Sequence, residues 1–111
     1  MTRPWIEARI EENLVITSNV ITKTGGNNIV VTNHQGTTEI SSNTLDAGCA
    51  GADAILVATL AGGNVTSLQK VSQNTIDMGT GGADAATGIT FMTGSGGGQF
   101  SNIHFRNSFS V

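Results

Sequence analysis

The sequence predicts an all-β fold, in the form of a small antiparallel β-sandwich or barrel-like domain built from repeated hairpins and preceded by an N-terminal arm. Three observations predict it. Gly, Thr, Asn and Ser together make up 49 of the 111 residues, a composition that favours strands and turns. Short β-branched runs alternate with Gly- and Asn-rich turns. One pattern of 23 residues also occurs twice. A chain of this length has room for one domain.

The N-terminal segment, residues 1–12, differs from the remainder in composition. It holds five of the 13 charged residues together with Pro4 and Trp5, the chain's one proline and one tryptophan. Apolar residues recur every four positions from Ile6 to Leu14, which fits a short amphipathic helix after Pro4. Two roles stay open for this segment: it lies on its own domain with Trp5 over the core, or it docks as an arm on a neighbouring subunit.

The domain predicted for residues 13–111 begins with strands and turns. Residues 14–21 and 29–32 are rich in β-branched side chains, and a Gly/Asn cluster separates them. Such a cluster supplies the positive φ angles of a tight turn, so the two segments predict a hairpin. Residues 33–36 predict a second turn, and residues 37–41 a short polar strand.

The second half of the chain predicts a central strand and a final, half-buried strand. Residues 54–61 are apolar on both faces, as expected for a strand with neighbours on both sides or one covered by a partner. Residues 62–64 predict a turn that leads into a strand at residues 65–71. In the final strand, residues 103–111, apolar and polar positions alternate.

An internal duplication is the most informative feature of the sequence. Residues 41–63 match residues 72–94 at an offset of 31, with 11 identities in 23 positions. Each unit contains Asn-Thr-Leu/Ile-Asp followed by Gly-Ala-Asp-Ala, which predicts a strand, a Gly-rich turn and a second strand. One such hairpin cannot bury both faces, so the units must stack on one another or on other chains. A weaker match to the same pattern covers residues 19–32 and requires a gap in the alignment.

Charge and composition exclude several classes of partner. The net charge of −3 provides no basic surface for nucleic acid. The longest apolar run has about eight residues, against roughly 20 for a membrane-spanning helix, and the chain opens with no signal peptide. The lone Cys49 cannot form an internal disulfide, which favours assembly in a reducing compartment. We therefore expect a protein that binds neither nucleic acid nor membrane.

Catalytic and metal-binding chemistry is not indicated. Four aspartates lie in pairs seven residues apart around the glycines: Asp46 and Asp53, Asp77 and Asp84. Oxygen-rich turns can hold Ca²⁺, but Asp in such turns more often bonds its own backbone. His34 and His104 lie 70 residues apart, with no converging nucleophile or ligand. The sequence predicts no enzyme, no catalytic residue, no metal and no cofactor.

The uncharged Gly/Thr/Asn/Ser-rich units, the duplicated NT[LI]D and GADA segments, the GGN turns and the charged N-terminal segment resemble the small β-structured virion proteins of tailed bacteriophages. Capsid cement (decoration) proteins and tail or head fibre modules are the kinds they resemble. The resemblance implies a homo-oligomer, typically a trimer, that binds the major capsid protein and stabilises the shell of a virion assembled in the host cytoplasm. A tail or fibre component and a surface or carbohydrate-binding β-module remain the alternatives.

The candidate partner-binding residues follow from the small core. Leu, Ile, Val and Phe make up 27 of 111 residues, so we expect further apolar burial against other molecules. Aromatic and arginine anchors dominate interface energies, and the candidates are Trp5, Ile6, Arg9, Phe100, Phe105 and Phe109. On the arm hypothesis, deleting residues 1–12 would weaken assembly and leave the circular dichroism of the β-domain nearly unchanged.

Overall fold

The computed structural model of the chain describes residues 6–9, 13–21, 27–34, 36–46, 53–59, 64–77, 87–92 and 99–110. These residues form twelve β-strands: β1 (Ile6–Arg9), β2 (Asn13–Thr17), β3 (Val20–Ile21), β4 (Ile29–His34), β5 (Thr37–Ser41), β6 (Thr44–Asp46), β7 (Asp53–Thr59), β8 (Asn64–Val65), β9 (Gln69–Asp77), β10 (Thr87–Met92), β11 (Gln99–Phe100) and β12 (Ile103–Ser110). The described residues contain no helix that could cross a lipid bilayer.

Every strand pair in the described ranges is parallel, so the predicted antiparallel sandwich or barrel is wrong. The hairpin predicted between residues 14–21 and 29–32 is wrong as well. β4 pairs with β1 and β7, while β2 pairs with β5. The composition identifies strands and turns, but Gly and Asn residues are found both in tight hairpin turns and in longer connections between parallel strands. The composition therefore does not specify the direction in which strands pair.

The chain winds through four stacked coils, which we call rungs, and so forms a parallel β-solenoid. Rung 1 holds β1–β3, rung 2 β4–β6, rung 3 β7–β9 and rung 4 β10–β12. One sheet has the order β1-β4-β7-β10. A second combines β2, β5, β9, β6 and β3, with β12 on β9, and a short third sheet pairs β8 with β11. Each rung therefore contacts mainly the rungs directly before and after it.

The core consists of apolar side chains stacked in columns, one from each rung. The register places these residues above one another: Ile6, Ile29, Ile55 and Ile89; Ile16, Ile40, Val71 and Phe105; Ile21, Leu45, Ile76 and Phe109. The members from rungs 2 and 3 are at most 1% exposed. Stacking thus gives this short chain a continuous apolar interior of its own.

Several predicted elements can be compared with these strands. The central strand predicted for residues 54–61 is confirmed over residues 54–59, since β7 lies between β4 and β10 with Ile55 and Val57 fully buried, and residues 60–61 lie outside the described residues. The helix after Pro4 is wrong for residues 6–9, which form β1. The final strand is confirmed as β12 over residues 103–110, but its predicted half-buried character is wrong, because Phe105 and Phe109 are exposed.

The duplication corresponds to successive rungs over its first half. Leu45 lies beside Ile76 and Asp46 beside Asp77, which is the offset of 31 seen in the sequence. Past the turn the offset becomes 34, because Asp53 lies beside Thr87. The stacking of repeated units is therefore confirmed over this first half, whereas each unit runs from the last strand of one rung into the first strand of the next and is not a hairpin.

Candidate interaction site at the last rung

An asparagine ladder fixes one corner of the solenoid. It contains one residue from each rung: Asn19, Asn43, Asn74 and Asn107. The Oδ1 atom of each later member accepts hydrogen bonds from the backbone N–H and the Nδ2 of the member before it, over 2.8 to 3.1 Å. Asn43 and Asn74 are buried, so these bonds satisfy polar groups that water cannot reach.

The corner differs between the first three rungs and the last. Ser18, Ser42 and Gln73 precede ladder asparagines and have φ near +60°, a left-handed conformation that turns the chain sharply. In rung 4 the single Asn107 stands where rung 3 has Gln73 and Asn74, and no described residue of β12 has positive φ. β12 runs through the corner as one strand of eight residues without a left-handed residue, whereas β9 passes the same corner with Gln73 in that conformation.

The core is closed at rung 1 and open at rung 4. At rung 1, Ile16 is 7% and Ile21 is 2% exposed. Their counterparts on β12, Phe105 and Phe109, are 60% and 51% exposed, and Ile103 is 36% exposed. These three β12 side chains, which we call the open end, lie in the core-facing positions of their strand but have no fifth rung above them among the described residues.

The four phenylalanines of rung 4 make different contacts. The rings of Phe91 and Phe100 meet edge to face with their centroids 5.1 Å apart, and both pack against the core. The ring of Phe109 lies so close to Gly88 that a Cβ atom there would collide with it. β12 is thus packed across the interior onto β10.

The structure separates the six predicted partner-binding residues. Phe105 and Phe109 come together at the open end, whereas Phe100 is half-buried in the core. Ile6 is half-buried against the core at rung 1. Arg9 lies in β1 opposite Thr32, but its side chain, like all of Trp5, lies outside the described residues.

A shallow depression beside the open end carries basic side chains on the outer face of the second sheet. Its lining residues are Leu68, Lys70, Ser72, Ile103, His104, Phe105 and Arg106. Lys70 neighbours His104 in the register, and Ser72 neighbours Arg106. Glu39 neighbours Lys70 in the register, and its carboxylate accepts a hydrogen bond from Ser41 Oγ at 3.0 Å. Sequence reasoning missed this depression, because its residues come from two rungs 34 positions apart.

Among the residues that the structure describes, Asp53 and His104 each contact a neighbouring polar side chain. Asp53 Oδ1 accepts a hydrogen bond from Thr90 Oγ1 at 3.1 Å, and Asp84 lies outside the described residues. His104 Nε2 lies 3.0 Å from Asn102 Oδ1 at the surface. In the described part of the chain, no three His, Cys, Asp or Glu side chains come close enough to hold a metal ion.

Exposed apolar residues also occur at the opposite end of the solenoid. Val15 is 66% and Val20 is 72% exposed. They flank the ladder corner of rung 1 and point outward, since Ile16 and Ile21 beside them are buried. We call these two residues the valine patch. The solenoid therefore presents apolar side chains at both ends.

Comparison with known proteins identifies no relative of the chain. No protein-family model, no curated protein and no solved structure matches it.

Proposed function

We propose that the chain is a non-enzymatic structural protein of a virion, a capsid cement protein that binds the major capsid protein as a homo-oligomer and stabilises the shell. The observation that carries the proposal is the exposure of apolar side chains at both ends of the stack, on the open end and on the valine patch. A protein that joins other subunits needs at least two contact surfaces, and exposed apolar residues are what such contacts bury.

The chemistry of the described surface favours binding over catalysis. The middle rungs are closed, and the buried side chains of Asn43 and Asn74 are engaged in rung-to-rung hydrogen bonds. Rigid stacking of this kind suits a part that must hold its shape under load. In this proposal the open end joins copies of the protein, and the valine patch contacts the shell.

The solenoid architecture favours one alternative, a tail or fibre component. Rungs stack along a single direction, and fibres are built by continuing such a stack. The two functions differ in where the protein sits on the particle.

Localisation on purified particles tests the proposal. Virions from the source that encodes the chain are banded by density, labelled with a gold-conjugated antibody to this protein and imaged. We expect gold distributed over the heads, and particles lacking the gene should release DNA at a lower temperature. Gold confined to the tail would establish the fibre alternative, and particles free of the protein would overturn both.

A variant tests the role given to the valine patch. Particles lacking the gene are incubated with wild-type protein or with Val20→Asp, and bound protein is quantified after sedimentation. Because an exposed valine is replaced, the fold should be retained, while binding to the shell is expected to fall at least tenfold. Thr44→Asp, at the neighbouring exposed position of rung 2, is the matched control. Equal loss with both variants would show that added charge alone explains the effect.

A further inference from the structure

We infer that two copies of the chain join through their open ends, by antiparallel pairing of β12 with β12 of a second copy about a two-fold axis at Asn107. The inference deepens the proposed function and rests on it for its biological setting, since it names the partner of the open end. It also replaces the trimer that the resemblance implies with a two-fold arrangement. The pairing itself is a property of the purified protein.

The arrangement of residues in β12 is symmetric about Asn107. Phe105 and Phe109 lie two positions on either side of it. In an antiparallel pair centred on Asn107, Phe105 faces Phe109 of the second copy, so the core-facing side chains of each copy meet those of the other. A shift of one residue would place Phe105 opposite Ser108 and lose the match.

Charge is compatible with the same register. On the outer face, Arg106 falls opposite Ser108 of the second copy, and His104 opposite Ser110. The basic groups therefore face hydroxyl-bearing residues, and no two of them lie directly opposite, where like charges would destabilise the pair.

The backbone of β12 is suited to accept another strand. It is continuous over Ile103–Ser110, without the left-handed corner residue of rungs 1 to 3. Within the described ranges it pairs along one side only, with β9. A long, apolar edge of this kind is a template for strand addition, and soluble proteins generally cover it.

The burial of the core at rung 1 favours pairing of two open ends over a head-to-tail stack. In a head-to-tail stack Phe105 and Phe109 would sit on Ile16 and Ile21 of the next copy, which are already buried. The open end of a second copy, in contrast, exposes the same core-facing apolar side chains, so the two surfaces match in size. A head-to-tail contact would also propagate into an open filament, whereas a two-fold contact closes.

The area of the open end is sufficient for a stable dimer. The molecule measures 37 × 26 × 20 Å, and four rungs spaced about 4.8 Å apart identify the shortest dimension as the solenoid axis. An elliptical end of the two longer dimensions has an area of about 750 Å², so a pair that covered this whole cross-section would bury at most about 1,500 Å² in total, which lies within the range of specific interfaces.

Light scattering coupled to size-exclusion chromatography tests the dimer. We expect twice the 11.4 kDa mass of one chain at micromolar concentration. Phe105→Asp and Phe109→Asp should each weaken self-association at least 100-fold, because a charge would be buried in the contact. Val20→Asp, at the other end, should remain dimeric. A monomeric or trimeric wild type would overturn the pairing, and so would unchanged dimers of both phenylalanine variants.

Disulfide trapping in a Cys49→Ser background keeps the test valid if a phenylalanine variant fails to fold. Chains with Arg106→Cys are mixed with chains carrying Ser108→Cys and oxidised, and we expect a cross-linked heterodimer. The reporter of head-to-tail stacking is a mixture of His104→Cys with Val15→Cys, positions that would stack in a continued solenoid. Cross-linking of the second mixture alone would overturn the inference. A monomer that nevertheless decorates particles would overturn the pairing and the homo-oligomer, and would leave only the binding to the shell intact.

Discussion

At the scale of single residues, the amide side chain is the group on which the solenoid depends most. An asparagine carries both a donor and an acceptor, so it can accept from one rung and donate to another. Asn74 does both: its Oδ1 accepts from Asn43 and its Nδ2 donates to Ile40 O and Asn107 Oδ1. Serine is too short to span two rungs in this way, and aspartate lacks the donor and would carry a buried charge.

Replacing Asn74 with alanine is expected to lower the free energy of unfolding by about 2 to 4 kcal/mol, since it removes the acceptor of the Asn43 N–H and the side-chain bond to the carbonyl of Ile40 inside the core. Urea denaturation measures the change. The matched control is Asn13→Ala, which removes an exposed bond from Thr37 Oγ1 and should cost less than about 0.5 kcal/mol. Equal costs would show that the ladder does not stabilise the fold.

At the scale of elements, the positions of β12 and β1 follow from packing across the interior. β12 lies on β9 through hydrogen bonds and on β10 through the ring of Phe109 over Gly88. β1 completes the first sheet by pairing with β4, whose Ile29 and Val31 are fully buried. Both elements at the ends of the chain therefore belong to the stack.

The contact between Gly88 and Phe109 predicts non-additive mutations. Gly88→Ala alone should cost about 1 kcal/mol, because the added methyl group displaces a ring that is half exposed and able to move. In a Phe109→Ala background the same change should cost close to zero. A double-mutant cycle from urea midpoints measures the coupling. Additive costs would mean that the ring does not rest on Gly88.

The position of β1 changes the expected result of deleting residues 1–12. Because Ile6 packs against the core and β1 covers one edge of β4, the deletion should reduce stability by about 2 to 3 kcal/mol. Ile6→Ala should account for about 1 kcal/mol or more of this loss, and Val15→Ala, an outward-facing change, for very little. Thermal melts followed by circular dichroism measure these effects. An unchanged melting temperature after deletion would restore the arm hypothesis.

At the scale of the whole molecule, stability is distributed as in other repeat proteins, with each rung supported by its neighbours. β9 has a strand on each side, whereas β12 has one described neighbour and its core-facing side chains are exposed, unlike Ile16 and Ile21 of rung 1. Local opening should therefore begin at the last rung.

Amide hydrogen exchange tests this gradient. In the monomeric Phe105→Asp variant, the amides of β9 near Val71 should exchange at least 100-fold more slowly than those of β12. In the wild type at high concentration, β12 should gain protection through pairing with a second copy, while the amides of β2 serve as the control. Uniform exchange rates across rungs would contradict a stack that opens from its end.

The sequence and the structure agree most closely where the physics is local. β-Branched runs, Gly/Asn turns and the apolar stretch at residues 54–61 predict strands because backbone and side-chain preferences act over a few positions. The duplication predicts stacking for a similar reason, since identical units bury identical faces. Phe105 and Phe109 are chosen as anchors from residue type alone.

By itself, the sequence determined that this protein is made of short strands, contains repeated units and carries candidate anchors on its final strand. The tertiary structure decided that the strands are parallel, that Asn19, Asn43, Asn74 and Asn107 form a ladder, and that Phe105 is exposed while Phe100 is covered. The physical reason is that pairing direction and burial depend on contacts between residues 23 to 35 positions apart, which local preferences do not specify.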